Sequence, residues 1–188
     1  MDYTNVEDTF FEAFNGKYVR ALITAPNMKI LKKAAYDSTA TPSAVIGRVE
    51  GGVEGFLEKN QTPDGRYGAI VQYWLDGDNV NKFAFELSYR LRQDILVKPF
   101  TRVFDYPDKD SNEAIGMMDI VGHCGDGYEW IVEEYDRTMI NVPIAVPDFQ
   151  IEEKLTLNNG IMGANFWYLC SSEEAVLNAG EKALDAIM

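Results

Sequence analysis

Residues 17–24 read Lys-Tyr-Val-Arg-Ala-Leu-Ile-Thr, and this stretch decides the fold. Apolar residues occupy both sets of alternating positions, which predicts a strand that is largely buried on both faces. Pro26, which presets a helical φ, then opens a predicted helix over residues 27–39. The chain therefore begins with a β-α unit.

The residues after this unit continue the alternation of strands and helices. We predict a strand at residues 44–49, a glycine-rich connection at 50–67 and a strand at 68–75. A helix at 79–92 and a strand at 95–104 are predicted to follow. The break before the second strand is assigned to Thr41-Pro42. The order β-α-β-β-α-β predicts an α+β fold whose first lobe, residues 1–108, is ferredoxin-like.

Residues 109–188 predict a partial second ferredoxin-like unit, also α+β. Its elements are predicted as strands at 115–122, 149–157 and 161–170, turns at 123–127 and 158–160, and a last helix capped by Ser171 or Ser172. Because such a unit normally closes with further elements, the strand at 161–170 would have an uncovered edge. Either the topology differs or another chain covers this edge, and we expect a homo-oligomer.

Composition excludes several classes of function. The chain has 188 residues and a formal net charge of −13, so we predict neither a nucleic-acid partner nor a membrane partner. No apolar run reaches the ~20 residues that span a bilayer, and the N-terminus has no signal-peptide pattern. The two cysteines make no disulfide framework, and a cytoplasmic location is expected.

Three motifs carry a resemblance to a known family. They are Val6-Glu7-Asp8-Thr9-Phe10-Phe11-Glu12-Ala13-Phe14, Arg20-Ala21-Leu22-Ile23-Thr24-Ala25 and Thr62-Pro63-Asp64-Gly65-Arg66. In this order and at these distances they resemble the formylmethanofuran:tetrahydromethanopterin formyltransferases of one-carbon metabolism. Gly125-Asp126-Gly127-Tyr128 and residues 160–166 extend the resemblance, whereas Arg48-Val49-Glu50 departs from the family pattern.

The resemblance implies transfer of a formyl group from formylmethanofuran to N5 of tetrahydromethanopterin. Methanofuran and tetrahydromethanopterin would be carrier substrates, and no protein-bound cofactor is implied. Such acyl transfer needs hydrogen-bond donors for a tetrahedral oxyanion and a group that moves protons. Both carriers bear acidic groups, so basic residues should line the cleft.

Family enzymes continue through a C-terminal segment that holds a proposed catalytic glutamate, for which no matching position is expected here. An alternative is therefore a shortened, non-catalytic paralogue that binds a carrier. It could equally be a scaffold subunit of a formyltransferase/hydrolase complex. A third alternative is a ferredoxin-like interaction domain that binds neither carrier.

The candidate catalytic residues are Glu7, Asp8 and Asp126. Glu7 and Asp8 either orient a carrier amine or move the proton, but acids at these positions are also typical of a helix N-terminus. The stretch Gly125-Asp126-Gly127 either donates backbone hydrogen bonds to the oxyanion or a pterin edge, or is an ordinary hairpin turn.

The candidate substrate-binding residues are Thr9, Arg66, Gly125, Gly127 and Asn165. Arg66 either grips a carboxylate with two parallel hydrogen bonds or is an exposed loop arginine. Asn165 lies in a predicted apolar strand, where its amide must be satisfied by a ligand or by a neighbouring strand. No set of metal ligands is predicted, since the only histidine stands apart from further ligands.

Overall fold

The structure, a computed structural model, describes residue 7 and residues 12–44, 48–109, 111–163 and 167–187. The strands are β1 (Ala13–Ala25), β2 (Glu50–Leu57), β3 (Tyr67–Asp76), β4 (Arg102–Asp105), β5 (Ala114–Gly116), β6 (Trp130–Glu134), β7 (Arg137–Val142), β8 (Phe149–Glu152) and β9 (Lys154–Gly163). The α-helices are α1 (Met28–Ala44), α2 (Val80–Arg90) and α3 (Glu173–Ile187). Within the described residues, no helix is long and apolar enough to cross a membrane.

Strand β1 is the centre of one mixed sheet. One of its edges pairs antiparallel with β3 from Gly16 to Ala25. Its other edge pairs with β9 over residues 13–19 and with β4 over residues 21–24, both antiparallel. Strands β4 and β9 therefore lie end to end along the same edge of β1. The full strand order is β2-β3-β1-β4-β8-β7-β6, with β4 and β8 parallel and with β5 paired to β9.

The alternation of side chains along β1 gives the sheet two different faces. On the first face, Val19, Ala21 and Ile23 are fully buried in one core with residues of α1 and α2 such as Leu31 and Leu87. Burying each of the larger aliphatic side chains contributes about 1.5–3 kcal/mol. The predicted strand at residues 17–24 is confirmed, since it lies within β1. Its apolar pattern allows this packing.

The opposite face, called the second face here, is defined by Arg20, Leu22 and Thr24 of β1 and by Arg102 and Phe104 of β4. It has a smaller apolar cluster of Leu22, Ile70, Phe104 and Met139, and polar side chains surround it. The second face is therefore the one on which charged groups of several strands can meet.

The first six main elements, β1-α1-β2-β3-α2-β4, have the predicted order, but two boundaries were wrong. The predicted strand at residues 44–49 is wrong, because α1 continues past Thr41-Pro42 to Ala44. The predicted connection at residues 50–67 instead contains β2. Its glycine-rich backbone pairs with β3 through a register shift between Val53 and Gly55, so long-range pairing outweighs low strand propensity.

The predicted strand at residues 95–104 is shorter than expected. A π-helical turn, Leu91–Leu96, prolongs α2, and β4 begins only at Arg102. Between them the backbone reverses at Phe100, whose φ is 63°. The apolar residues before Arg102 therefore pack as helix and turn rather than as strand.

Several elements of residues 109–188 also differ from prediction. Strand β5 covers only Ala114–Gly116, and a 3-10 helix, Gly122–Gly125, follows. The predicted strand at 149–157 is divided into β8 and β9 at Glu153. The hairpin of β6 and β7 had no counterpart in the prediction. The last helix is confirmed, with Ser172 Oγ accepting a hydrogen bond from Ala175 N at 3.2 Å.

The predicted turn at residues 158–160 is wrong, because β9 runs through it to Gly163. A Cβ atom added at Gly160 would lie only 2.5 Å from the Trp74 ring. This ring stacks on Tyr18 with 4.3 Å between ring centroids. Gly160 therefore leaves room for an aromatic ring above a continuous strand. The predicted strand at 161–170 is also wrong in its second half, since residues 167–170 are not in a strand.

Candidate functional site

The stretch Thr62–Arg66 is a turn closed by its own hydrogen bonds. Thr62 Oγ1 donates to Arg66 O at 2.6 Å and accepts from Arg66 N at 3.1 Å. Asp64 Oδ1 accepts from the same Arg66 N at 3.3 Å. Gly65 has a φ of 68°, which glycine adopts without strain. The turn thus fixes the Asp64 and Arg66 side chains next to each other.

The Asp64 carboxylate is fully buried and joins three elements of the fold. Its Oδ2 atom accepts hydrogen bonds from Thr24 Oγ1 at 2.7 Å, Arg66 Nε at 2.7 Å and Arg102 Nη1 at 3.0 Å. We call Thr24, Asp64, Arg66 and Arg102 the Asp64 cluster. It ties the turn to β1 and β4 on the second face of the sheet.

Ionisation of Asp64 is decided by two opposing effects. Burial raises the pKa of Asp64, but the hydrogen bond from Thr24 and the charges of Arg66 and Arg102 outweigh it, so the net pKa is lowered. Asp64 is therefore an anion at neutral pH. The Asp64 cluster then has two cationic groups and one anionic group.

All three guanidinium nitrogens of Arg66 are engaged within the chain. Besides the bond to Asp64, Nη2 donates to Thr24 Oγ1 at 2.9 Å and Nη1 donates to Phe100 O at 2.5 Å. Phe100 has a φ of 63°, which is rare for a bulky residue, and Arg66 holds its carbonyl. These bonds direct the guanidinium of Arg66 inward, and its role in carrier binding stays a prediction.

The stretch Gly125-Asp126-Gly127 forms a turn after the 3-10 helix. Asp126 N donates to His123 O at 3.1 Å, and Gly127 N donates to Glu129 Oε2 at 2.9 Å. Asp126 and Gly127 have φ values of 53° and 86°. Because the turn uses both N–H groups internally, this geometry favours an ordinary turn over an oxyanion site. The assignment of these three residues to the site stays a prediction.

Of the remaining predicted site residues, the structure describes Glu7 outside the Asp64 cluster and leaves three others undescribed. Glu7 is exposed and lies outside any helix or strand. Asp8, Thr9 and Asn165 lie outside the described residues. Within the described part of the chain, no hydrogen bond or ion pair joins Glu7 or Asp126 to the Asp64 cluster.

Sequence reasoning missed a second ionic group on the second face. Arg20 Nε donates to Glu54 Oε2 at 2.6 Å, and Arg20 Nη2 donates to the other carboxylate oxygen. Arg20 Nη1 donates to Tyr106 O at 3.2 Å, and the guanidinium lies 4.8 Å from the centroid of the Tyr106 ring. The sequence does contain a signal for this ion pair, which is an arginine within an otherwise apolar strand. A buried charge needs a partner, so an acidic residue near Arg20 was to be expected.

A third ionic group lies where β4 and β9 meet. Asp105 accepts hydrogen bonds from both the backbone N at 2.9 Å and the hydroxyl of Thr156. Glu152 Oε2 accepts from Asp105 N at 2.8 Å and from Arg137 Nη1 at 2.7 Å. Burial raises the pKa of both carboxyl groups. The Asp105 side chain thus binds β9 one residue before its pairing with β1 begins at Leu157.

A polar cavity of about 660 Å³ opens beside Lys17. The Lys17 amine is nearly buried and donates to Glu113 Oε2 at 2.7 Å and to Asn159 Oδ1 at 3.0 Å. Across the described ranges, no group of three or more histidine, cysteine, aspartate and glutamate residues is arranged to hold a metal ion.

Known proteins with similar sequences point to one family. The chain is 59% identical to a formylmethanofuran–tetrahydromethanopterin formyltransferase-like protein of Methanothermobacter marburgensis, over 98% of this chain and 62% of the relative. It is 36% identical to a formylmethanofuran–tetrahydromethanopterin formyltransferase of Methanothermobacter thermautotrophicus, over 97% of this chain and 61% of that enzyme. The chain therefore spans about three fifths of the length of these relatives.

Two solved structures are similar to the fold. One is the formylmethanofuran:tetrahydromethanopterin formyltransferase from Methanosarcina barkeri, with a TM-score of 0.85 and 32% identity over 96% of this chain and 60% of that one. The other is the formyltransferase/hydrolase complex from Methylorubrum extorquens with methylofuran, with a TM-score of 0.82 and 26% identity over the same shares.

Family assignment covers nearly every residue. Residues 1–144 match the family described as formylmethanofuran-tetrahydromethanopterin formyltransferase. Residues 147–188 match the description of its proximal lobe. The predicted resemblance is confirmed. The chain belongs to the formylmethanofuran-tetrahydromethanopterin formyltransferase family.

Proposed function

We propose that this protein takes part in transfer of a formyl group from formylmethanofuran to N5 of tetrahydromethanopterin. The observation that carries the proposal is the likeness to the Methanosarcina barkeri formyltransferase, with a TM-score of 0.85 over 96% of this chain. Identity of 36% to the Methanothermobacter thermautotrophicus formyltransferase supports it further. Because about two fifths of each relative has no counterpart here, activity is proposed and not inferred from family membership alone.

The proposed reaction is an acyl transfer between two amines. N5 of tetrahydromethanopterin attacks the formyl carbon, and a tetrahedral oxyanion forms. The bond between that carbon and the methanofuran nitrogen then breaks. The proton lost by N5 goes to the leaving amine through an acid or base, for which Glu7, Asp8 and Asp126 are the candidates. Thr9, Arg66, Gly125, Gly127 and Asn165 are the proposed substrate contacts, and no protein-bound cofactor is part of the proposal.

The proposal includes a fold assignment. The antiparallel order β2-β3-β1-β4 supports a ferredoxin-like first lobe over residues 1–108. Residues 109–188 would begin a second lobe, although β8 and β9 pair directly with strands of the first. Exposed apolar side chains on and before α3, such as Leu169, Leu177 and Leu184, support the proposed homo-oligomer. A cytoplasmic location remains part of the proposal.

A second candidate function is that of a non-catalytic paralogue. Four relatives whose names end in "formyltransferase-like protein" are 42–59% identical to this chain. Four relatives named formyltransferase without that ending are 33–36% identical. This gap favours a role different from that of the named enzymes. The likeness to a chain of the formyltransferase/hydrolase complex supports binding of a carrier or a scaffold role within such a complex.

The deciding experiment combines a turnover assay with calorimetry. The purified 188-residue chain is incubated with formylmethanofuran and tetrahydromethanopterin, and the formylated product is separated and quantified. Binding of each carrier is measured by titration calorimetry on the same preparation. We expect turnover, and we expect a lower rate in Asp126→Asn if Asp126 moves the proton. A folded sample that binds a carrier without turnover would contradict catalysis and establish the paralogue.

The control variant is His123→Gln, which changes a neighbouring exposed side chain with no proposed role. Its turnover should equal that of the wild-type chain. If neither carrier binds to the folded wild-type chain, catalysis and carrier binding are both wrong, and the scaffold role and the interaction-domain alternative remain.

A further inference from the structure

Arg102 uses less of its guanidinium than Arg20 and Arg66, whose three nitrogens all donate hydrogen bonds. Its Nη1 donates to Asp64 Oδ2 at 3.0 Å. Within the described residues, its Nε and Nη2 atoms have no acceptor. Neither of these two atoms is buried. About one fifth of the side chain is exposed. The Nε and Nη2 hydrogens therefore reach solvent at the edge of the Asp64 cluster.

Arg20 demonstrates what the same pair of atoms does when a carboxylate is present. Its Nε and Nη2 atoms donate to the two oxygens of Glu54, the paired arrangement that a planar guanidinium and a planar carboxylate favour. Arg102 has the same donor edge, formed by Nε and Nη2, with no carboxylate among the described residues. The two arginines otherwise match, because each lies on the second face and each packs against an aromatic ring.

The donor edge of Arg102 is held in one orientation. Its guanidinium carbon lies 5.2 Å from the centroid of the Tyr135 ring, and Nη1 is fixed by Asp64. Tyr135 sits in the tight turn between β6 and β7, where Tyr135 and Asp136 have φ values of 60° and 57°. The Tyr135 ring also contacts Phe104 edge to face, with 5.6 Å between centroids. An arginine held on two sides loses little conformational freedom when it binds a ligand.

The charge balance of the Asp64 cluster favours an anion. Arg66 and Arg102 share one carboxylate, so one positive charge is not neutralised within the cluster, in a chain whose net charge is −13. Glu134, at the end of β6, accepts a hydrogen bond from Gln150 Nε2 at 2.7 Å. A ligand carboxylate at Arg102 would complete the cluster as Glu54 completes Arg20.

We propose that Arg102 is the binding group of a carboxylate subsite on the second face, in which its Nε and Nη2 atoms donate to both oxygens of one ligand carboxylate. Asp64 and Arg66 act as positioning residues, and Tyr135 supports the guanidinium. The subsite rests on the proposed function only for the identity of its natural ligand, which would be an acidic group of a carrier.

The test uses sodium acetate as the probe and NMR of arginine side chains as the readout. Acetate is titrated into the ¹⁵N-labelled 188-residue chain at constant ionic strength, and the arginine Nε–Hε signals are followed. Signals are assigned with Arg102→Lys and Arg20→Lys. We expect the Arg102 signal to shift to saturation while the Arg20 signal stays fixed. Inorganic phosphate at the same ionic strength is the comparison anion, because a guanidinium pairs with phosphate as well as with carboxylate, and we expect acetate to bind at least as tightly.

Arg102→Lys should weaken acetate binding at least about tenfold, since lysine keeps the charge but loses the paired donors. The unchanged Arg20 signal reports that this variant is folded. The proposal is overturned if the Arg102 and Arg20 signals shift alike, if chloride produces the same shift, or if phosphate binds more tightly than acetate. The result does not depend on turnover, so the subsite can stand even if formyl transfer fails.

Discussion

The turn at Thr62–Arg66 and the turn at Gly125–Gly127 are both glycine-containing motifs with an aspartate at the centre, yet they are built differently. The Asp64 side chain has no exposed surface and accepts hydrogen bonds from residues of β1, β4 and its own turn. Asp126 is exposed, and the bonds around it stay within a few residues. One aspartate joins distant elements, whereas the other shapes only its own loop.

The difference teaches where a change of side chain should matter. A buried carboxylate that accepts hydrogen bonds from two guanidinium groups cannot be removed without leaving more uncompensated positive charge in a partly buried site. An exposed aspartate in a left-handed conformation can be replaced by asparagine, which tolerates the same backbone. The predictions below separate the two regions by the size of their effect on the free energy of unfolding.

The largest effect is expected from Asp64→Asn. This change removes the anion between Arg66 and Arg102 and should lower the free energy of unfolding by about 3–5 kcal/mol. Urea unfolding followed by tryptophan fluorescence measures it. A loss below about 1 kcal/mol, the size expected of an exposed pair, would contradict the cluster's role.

A pH series sharpens this result. Because the pKa of Asp64 is lowered in the folded state, its ionised form stabilises the fold above its unfolded pKa of about 3.9. That stabilisation is lost as the pH falls from there toward the folded pKa. The difference between wild type and Asp64→Asn should therefore be constant near neutral pH and shrink below about pH 4. An unchanged difference at low pH would mean that charge is not the cause.

Arg66→Lys is expected to have the next largest effect. Lysine keeps the charge but cannot reach Asp64, Thr24 and Phe100 O together, so unfolding should become easier by about 1–3 kcal/mol. The same urea experiment measures it. Stability equal to that of the wild type, together with weaker carrier binding, would instead support a guanidinium that faces the ligand.

Gly127→Ala tests the second region. The φ of 86° disfavours a Cβ atom although no neighbour lies within 4 Å of the position, so backbone strain is the only expected cost. We expect a loss of about 1 kcal/mol in the free energy of unfolding. Gly52→Ala is the matched control, since its position is equally open and has no positive φ. Equal losses in the two variants would argue against strain.

Asp126→Asn should have the smallest effect. The exposed side chain makes no described ion pair, and a change within about 0.5 kcal/mol is expected. Thermal unfolding by circular dichroism checks this. A larger loss would reveal contacts of Asp126 that the described bonds do not include.

Local pattern was sufficient for the elements whose stability comes from burial. The apolar residues of 17–24 and the amphipathic spacing of α1 and α2 predicted these elements, although α1 continues past its predicted end to Ala44. The strand β2 was missed because glycines predict a connection, and only pairing with β3 makes this segment a strand. Such pairing depends on tertiary context, which the sequence of the segment does not contain.

The candidate site was only partly predictable for a similar reason. The turn at Pro63-Asp64-Gly65 was predicted correctly, but the residue predicted for the site was Arg66 and not Asp64. The partners that make Asp64 central, Thr24 and Arg102, are 40 and 38 residues away in sequence. Residues spaced so far apart in sequence do not by themselves predict a contact. Only the pairing of strands in the sheet brings Thr24 and Arg102 to the Asp64 carboxylate.

The shared edge of β1 has a consequence for how the chain acquires its structure. Residues 13–19 of β1 pair with residues 157–163 of β9, so this edge stays open until more than 140 further residues have been synthesised. The open edge is roughly 23 Å long, ample for pairing with a second nascent chain. Contacts so distant in sequence also slow folding. Synthesis of this protein therefore includes an interval in which its central strand is exposed to aggregation.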